Sequence, residues 1–124
     1  AIVHRKGATP AHPNSLGIIP GSMVHPAFIV KGKGNAASLS SASHGAGRRM
    51  SRSKALQSFS QSDLKFVLDK WGVELIGGGL DEVPMAYKDI ETVMGYQSDL
   101  VEVLAKFFPK IVRMANPERK HRWE

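Results

Sequence analysis

The sequence predicts an α+β fold, and three observations carry that prediction. Apolar residues recur with helical spacing in some segments and alternate or cluster as short β-like runs in others. The two kinds of segment do not interleave as strand–helix–strand units, so nothing supports a doubly wound parallel sheet. The texture also changes near residue 62. Residues 1–62 hold seven of the twelve glycines and eleven of the twelve serines, so short strands and loops are expected there. Helices and a β-hairpin are expected over 63–115, followed by a polar tail over 116–124 that frays.

In chain order, Ile2-Val3 and Ile18-Ile19 are short apolar pieces, and Phe28-Ile29-Val30 is a β-rich run that stops at Lys31-Gly32-Lys33-Gly34. Residues 38–43 are small and alternating, and Gly and Pro punctuate all of these runs. Ser51 is a candidate N-cap for a helix through Phe59, and Ser60 or Ser62 for the next. In that next helix Leu64, Val67, Leu68 and Trp71 share one face, and Gly72 suits the left-handed residue after its end. Val73-Glu74-Leu75-Ile76 reads as a strand stopped by Gly77-Gly78-Gly79. A further helix begins near Asp89 and buries Ile90, Val93 and Met94. Beyond Leu100, Val101, Val103, Ala105 and Phe107 alternate on one strand face. Pro109 breaks that strand, and residues 110–114 return as its hairpin partner.

With 124 residues, 42% apolar and 23% charged, the chain is sized and composed for one globular domain or a piece of one, not for disorder. It has no cysteine, which removes disulfides, zinc–thiolate clusters and thiol nucleophiles. No apolar run approaches the roughly 18 residues of a membrane span, and Ala1-Ile2-Val3-His4-Arg5-Lys6 is not a secretory signal. A soluble cytoplasmic protein is expected. The opening without Met leads us to expect a start partway through something longer.

Charge is distributed unevenly. Residues 1–62 carry eight Lys or Arg and no carboxylate, whereas residues 63–124 carry nine basic and eleven acidic residues. The first stretch builds a positive field suited to phosphates and other polyanions.

The stretch Ser43-His44-Gly45-Ala46-Gly47-Arg48-Arg49-Met50-Ser51-Arg52-Ser53-Lys54 has the make-up of a phosphate cradle. Glycines let backbone N–H groups approach an anion, and arginines add fixed cations with a bidentate fork. It is neither a Walker A loop nor a dinucleotide fingerprint, because Met50 stands where each requires glycine. Three roles are open to His44 on this spacing: a hydrogen-bonded structural residue, a general acid or base, and a nucleophile. His4, His12, His25 and His44 form no metal-binding spacing, so no metal ligand is assigned. Ile18-Ile19-Pro20-Gly21-Ser22-Met23 and Arg5-Lys6-Gly7-Ala8-Thr9 are further loops that read equally well as plain turns. Residues 80–97 read as a turn into a helix.

Together these segments carry a resemblance. Arg5-Lys6-Gly7-Ala8-Thr9-Pro10-Ala11, Gly17-Ile18-Ile19-Pro20-Gly21-Ser22-Met23, Ser43-His44-Gly45-Ala46-Gly47-Arg48-Arg49-Met50-Ser51-Arg52 and Glu82-Val83-Pro84-Met85-Ala86-Tyr87-Lys88-Asp89-Ile90-Glu91 occur in this order. In this the chain closely resembles the C-terminal portion of the RtcB-type RNA ligases, from about Val3 to Met114. The resemblance implies a ligase that joins an RNA 3′-phosphate or 2′,3′-cyclic phosphate to a 5′-hydroxyl with GTP and manganese. It implies that His44 is the nucleophile that becomes guanylylated. It further implies a nucleotide pocket made by Pro20, Gly21, Ser22, Met23, His44, Gly45, Ala46 and Gly47. By position beside that pocket, Arg48, Arg49, Arg52 and Lys6 are assigned to RNA phosphates. Manganese ligands are expected upstream of this chain, and an activating protein is a conceivable partner. Where the family often has a nucleotide-contacting serine, this chain has Ala27, and no lysine matches the one that ends many members. The alternatives are a non-catalytic RNA-binding module and a degenerate paralogue that guanylylates without ligating.

Overall fold

A computed structural model describes residues 2–115. The element order is β1 (Ala8–Pro10), β2 (Leu16–Ile19), β3 (Ala27–Gly32), β4 (Ser41–Ser43), α1 (Arg52–Ser58), α2 (Gln61–Trp71), β5 (Glu74–Gly77), α3 (Ile90–Gly95), β6 (Val101–Phe107) and β7 (Ile111–Met114). Short 3-10 turns cover Ala36–Ser38, Leu80–Glu82 and Pro84–Ala86. The architecture is α+β, with two antiparallel sheets, β1-β4 and β2-β3-β6, and one parallel pair, β5-β7.

The helix boundaries follow local chemistry. Ser51 Oγ accepts from Lys54 N at the start of α1. Ser60 and Asp63 form a reciprocal capping box on α2, each side chain accepting from the other's backbone N–H. Gly72 ends α2 at φ 64°, the left-handed conformation glycine adopts without steric cost. Asp89 caps α3. Two expectations differ in the first half. The first strand begins at Ala8, so Ile2-Val3 forms none, and Ile2 is exposed. Only Ser41–Ser43 of the small alternating run is a strand, because Leu39 and Ser40 take positive φ after a 3-10 turn. Residues 80–89 hold two 3-10 turns before α3 begins.

The expected β-hairpin does not form. β6 pairs antiparallel with β3, and β7 pairs parallel with β5. The physical reason is where apolar side chains are covered. Core-facing Phe28 and Val30 leave β3 with an edge that β6 completes, and Val101 is buried there. Beyond Pro109 the chain turns to β5, where Lys110 O accepts from Glu74 N at 2.8 Å. Val112 and Met114 then pack beside Leu75 on the second core cluster. The single alternating face expected for β6 is also split. Ile29 lies opposite Ala105 but Val30 lies opposite Val103, so Leu104 is an inserted residue. This bulge puts Val101 and Val103 on the side of Val30, and Ala105 and Phe107 on the other.

Two apolar clusters form the core. One joins Ile19, Phe28, Val30, Ala42 and Ala46 to Ile90, Met94 and Val101. The other joins Met23, Val24 and Ala55 to Leu64, Val73, Val83 and Ala86. Each cluster therefore anchors one motif loop, the first through Ala46 and the second through Met23. The polar tail expected over 116–124 lies outside the described residues.

Candidate functional site

The two loops are built to meet. Residues 20–23 follow β2, and residues 44–47 follow β4. Ala46 N donates to Pro20 O at 3.1 Å, and His44 N donates to Gly7 O at 3.3 Å. The fit leaves little room for side chains. A Cβ at Gly45 would stand 3.3 Å from Pro20 O, and one at Gly21 would stand 2.6 Å from Pro26 O. Gly47 sits at φ 79°, where an L side chain is strained.

Between the loops lies a cavity of about 450 Å³, within the usual range for small-ligand sites. Pro20, Gly21, Ser22, Met23, His44, Gly45, Ala46 and Gly47 all line it. Arg48, Arg52, Glu82 and Tyr87 form its polar wall, and Val112 and Met114 its apolar one. The His44 side chain is exposed, and its imidazole makes no hydrogen bond among the described residues. A ring held in place by protein partners is therefore not what the structure shows.

Ser22 is internally committed. Its Oγ accepts from Val24 N (3.3 Å) and His25 N (3.2 Å) and lies 2.8 Å from His25 Nδ1. With its lone pairs engaged by backbone N–H groups, the hydroxyl directs its proton at Nδ1, which places the His25 proton on Nε2. Burial holds the His25 imidazole below its usual value, opposed by the negative charge of Asp89. The His25 ring meets Trp71 edge-on at 5.3 Å, which fixes the end of this loop against α2.

The arginine wall rests on a buried acidic pair. Arg52 Nη1 donates to Asp81 Oδ2 at 3.1 Å and also to Glu82 Oε1. Arg48 donates from Nε to Met50 O (2.9 Å), from Nη2 to Asp81 O (2.6 Å) and from Nη1 to the Tyr87 hydroxyl (3.3 Å). Its guanidinium also lies 5.0 Å from the Tyr87 ring centroid. Tyr87 donates to Glu82 Oε2. Burial first, and that hydrogen bond to Glu82 second, push the Tyr87 phenol up to about 12. The site thus holds two cations, two carboxylates and a neutral phenol in fixed orientation.

The remaining basic residues assigned from the sequence lie elsewhere. Arg49 is exposed and lines a second cavity, not this one. Lys6 is exposed and lines neither cavity. Sequence reasoning missed Asp81 and Glu82, since adjacent carboxylates ordinarily face solvent. The place of Glu82 in the Glu82-Val83-Pro84-Met85-Ala86-Tyr87 motif was the available signal, and Asp81 precedes that motif. Among the described residues no group of three or more His, Asp or Glu side chains could hold a metal ion. These residues do not fit a manganese site. Among them, also, no helix is long and apolar enough to cross a membrane.

An α+β module with a glycine-lined cavity, an exposed imidazole at its mouth and tethered arginines on its wall has the make-up of a small-ligand site. Comparison with known proteins gives the class a family. The family described as tRNA-splicing ligase RtcB matches residues 1–115. RNA-splicing ligase RtcB of Escherichia coli K12 is 52% identical over 102 residues, covering 82% of this chain and 25% of that protein. The tRNA-splicing ligase RtcB of Nanoarchaeum equitans is 37% identical over 132 residues, covering 90% of this chain and 28% of that protein. RNA-splicing ligase RtcB of Mycobacterium tuberculosis is 36% identical over 127 residues, covering 86% and 29%. The chain belongs to the RtcB family. It spans about a quarter of the length of the E. coli relative.

Proposed function

We propose that this chain carries the nucleophile and nucleotide pocket of a GTP-dependent RNA ligase. The observation that supports this most is the convergence of the 20–23 and 44–47 loops on one cavity, with an unencumbered His44 imidazole at its edge. In the proposed reaction a neutral His44 nitrogen attacks the α-phosphorus of GTP. An N–P bond forms, the α–β phosphoanhydride P–O bond breaks, and pyrophosphate leaves. The guanylyl group passes to the RNA 3′-phosphate. The RNA 5′-hydroxyl then attacks that activated phosphate, and GMP leaves as the phosphodiester forms.

The residues around His44 have distinct parts in this scheme. Backbone N–H groups exposed by Gly45 and Gly47 meet phosphate oxygens, because no Cβ intervenes. Arg48 and Arg52 answer the charge that develops on the transferring phosphoryl group, and Asp81 and Glu82 keep them oriented before substrate arrives. Lys6 and Arg49, exposed outside the cavity, meet RNA phosphates. Manganese finds no fitting donor set among the described residues.

The test is ligation itself. Carried within a full-length RtcB-family polypeptide, with GTP and manganese supplied, the chain supports joining of an RNA ending in a 3′-phosphate to one beginning with a 5′-hydroxyl, and His44→Ala abolishes joining; residues 1–124 alone, which hold no manganese site among the described residues, do not join them. Joining by His44→Ala at the unsubstituted rate would exclude this function for the site.

A further inference from the structure

We propose that a second cavity, across the 44–47 loop from the first, is an RNA subsite. It holds one nucleotide of a strand being joined, with a phosphate between Arg49 and Lys88 and a base on Tyr96. The proposal rests on the ligase reading above and names where the RNA strand runs.

The cavity has a volume of about 540 Å³, and its lining includes Ser43, Arg49, Lys88, Asp89, Thr92 and Tyr96. It is contiguous with the first site through the backbone: Ser43 precedes His44, and Lys88 N donates to Gly47 O at 2.9 Å. Arg48 and Tyr87 form an isolated antiparallel bridge, and Arg49 N donates to Ala86 O at 2.8 Å. Successive side chains along extended backbone point to opposite sides. Arg48 and Tyr87 accordingly line the first cavity, and their neighbours Arg49 and Lys88 line the second. The seam that orients one pair of residues toward the nucleotide orients the next pair away from it.

The charges in this cavity are available. Neither the Arg49 guanidinium nor the Lys88 ammonium has a partner among the described residues, whereas Arg48 and Arg52 are tied to the segment bearing Asp81 and Glu82. The Lys88 side chain lies along Gly47, its Nζ 3.9 Å from where a Cβ would stand. Asp89 is the one carboxylate in the lining, and its oxygens are engaged. Oδ1 accepts from Glu91 N at 3.1 Å and Oδ2 from Thr92 Oγ1 at 3.0 Å. Two cations thus face one committed carboxylate. Tyr96, at 83% exposure, presents a bare aromatic face on the rim. Anionic charge paired with a planar ring is the chemistry of a nucleotide, and aromatic stacking beside cations is how single strands are held without regard to sequence. An acidic peptide would satisfy the cations but leave Tyr96 without a role.

The experiment titrates the protein with a short single-stranded RNA bearing a 5′-hydroxyl and a stacking-sensitive fluorescent base, over a salt series. Tyr96→Ala weakens binding roughly five- to a hundred-fold, and Tyr96→Phe restores it. Arg49→Ala and Lys88→Ala each reduce the salt slope by about 0.7. All three side chains are exposed, so the variants keep the fold. Unchanged RNA affinity and salt slope in Tyr96→Ala and Lys88→Ala would overturn the subsite. Equal sensitivity to Tyr96→Ala when free GMP replaces RNA would overturn its assignment to a strand. Competition by poly-glutamate as strong as by RNA would overturn it in favour of an acidic protein partner. Labelling by α-labelled GTP and manganese of a full-length RtcB-family polypeptide that carries this chain is read in parallel. Its failure removes the ligase reading, while the RNA titration still decides the subsite.

Discussion

Arg52 lies against Asp81, with Nη1 3.1 Å from Oδ2, and the carboxylate is nearly buried while the guanidinium is one-third exposed. Glu82 shares the same nitrogen. Two buried carboxylates beneath one arginine form a mount whose outer side faces the cavity. Arg52→Ala removes a cation shared by both carboxylates, while Arg48 stays 4.0 Å from Glu82. The cost lies between the limits for exposed and buried pairs, about 2–4 kcal/mol, and is measured by urea unfolding. Arg52→Lys keeps charge but not the planar fork, and recovers only part of that loss. Equal stability of Arg52→Ala and the unsubstituted protein would refute the mount.

Tyr87 supplies an alkaline test. Its folded pKa of about 12 lies above the ordinary 10.0. The neutral phenol is therefore favoured by folding. That contribution is complete below pH 10 and is lost as pH rises from 10 toward 12. Absorbance titration shows a late-ionising tyrosine, and Tyr87→Phe removes that late step. A tyrosinate curve for Tyr87→Phe that keeps the late step assigns it elsewhere.

His25 supplies the acid counterpart. Its pKa is held below 6.5, so the neutral ring is favoured by folding. This contribution is complete above pH 6.5 and is lost as pH falls through the lowered value. Protonation of Nδ1 also removes the acceptor for the Ser22 hydroxyl, which loosens the 20–23 loop. NMR shows the His25 ring titrating below 6.5, with GMP affinity falling over the same range. A His25 midpoint above 6.5 would contradict this account.

Gly47→Ala forces an L residue to φ 79°. The strain costs about 1–2 kcal/mol, seen as a lowered unfolding midpoint, and relieving it shifts the loop backbone that lines the cavity. Gly72→Ala carries similar strain at φ 64° but lies away from the cavity, so it lowers stability and spares nucleotide binding. Equal loss of GTP binding in both variants would show that stability alone was responsible.

What the sequence disclosed was local. Ser51, Ser60, Gly72 and Asp89 mark helix ends because capping is decided by a few neighbouring atoms. The joint placement of residues 20–23 and 44–47 came from motif resemblance; no periodicity links them. The partners of β6 and β7 were illegible, because alternation tells which residues face together and not which strand they face. The bulge at Leu104 was passed over: apolar Leu104 falls where Glu102 and Lys106 are polar, a break in the alternation that placing Val101, Val103, Ala105 and Phe107 on one face ignores. The acidic mount was missed because Asp81 and Glu82 contradict the usual preference of carboxylates for water. The arginines and the Tyr87 hydroxyl folded against them make their burial tolerable.

The most direct measurement is the site of covalent guanylylation. Carried within a full-length RtcB-family polypeptide, the chain is incubated with α-labelled GTP and manganese, digested, and mapped by mass spectrometry, with the adduct's stability followed in acid and alkali. The account gives a single acid-labile, alkali-stable adduct on the peptide containing His44, lost in His44→Ala and in His44→Asn. An adduct on another residue, or undiminished labelling of His44→Ala, would contradict it.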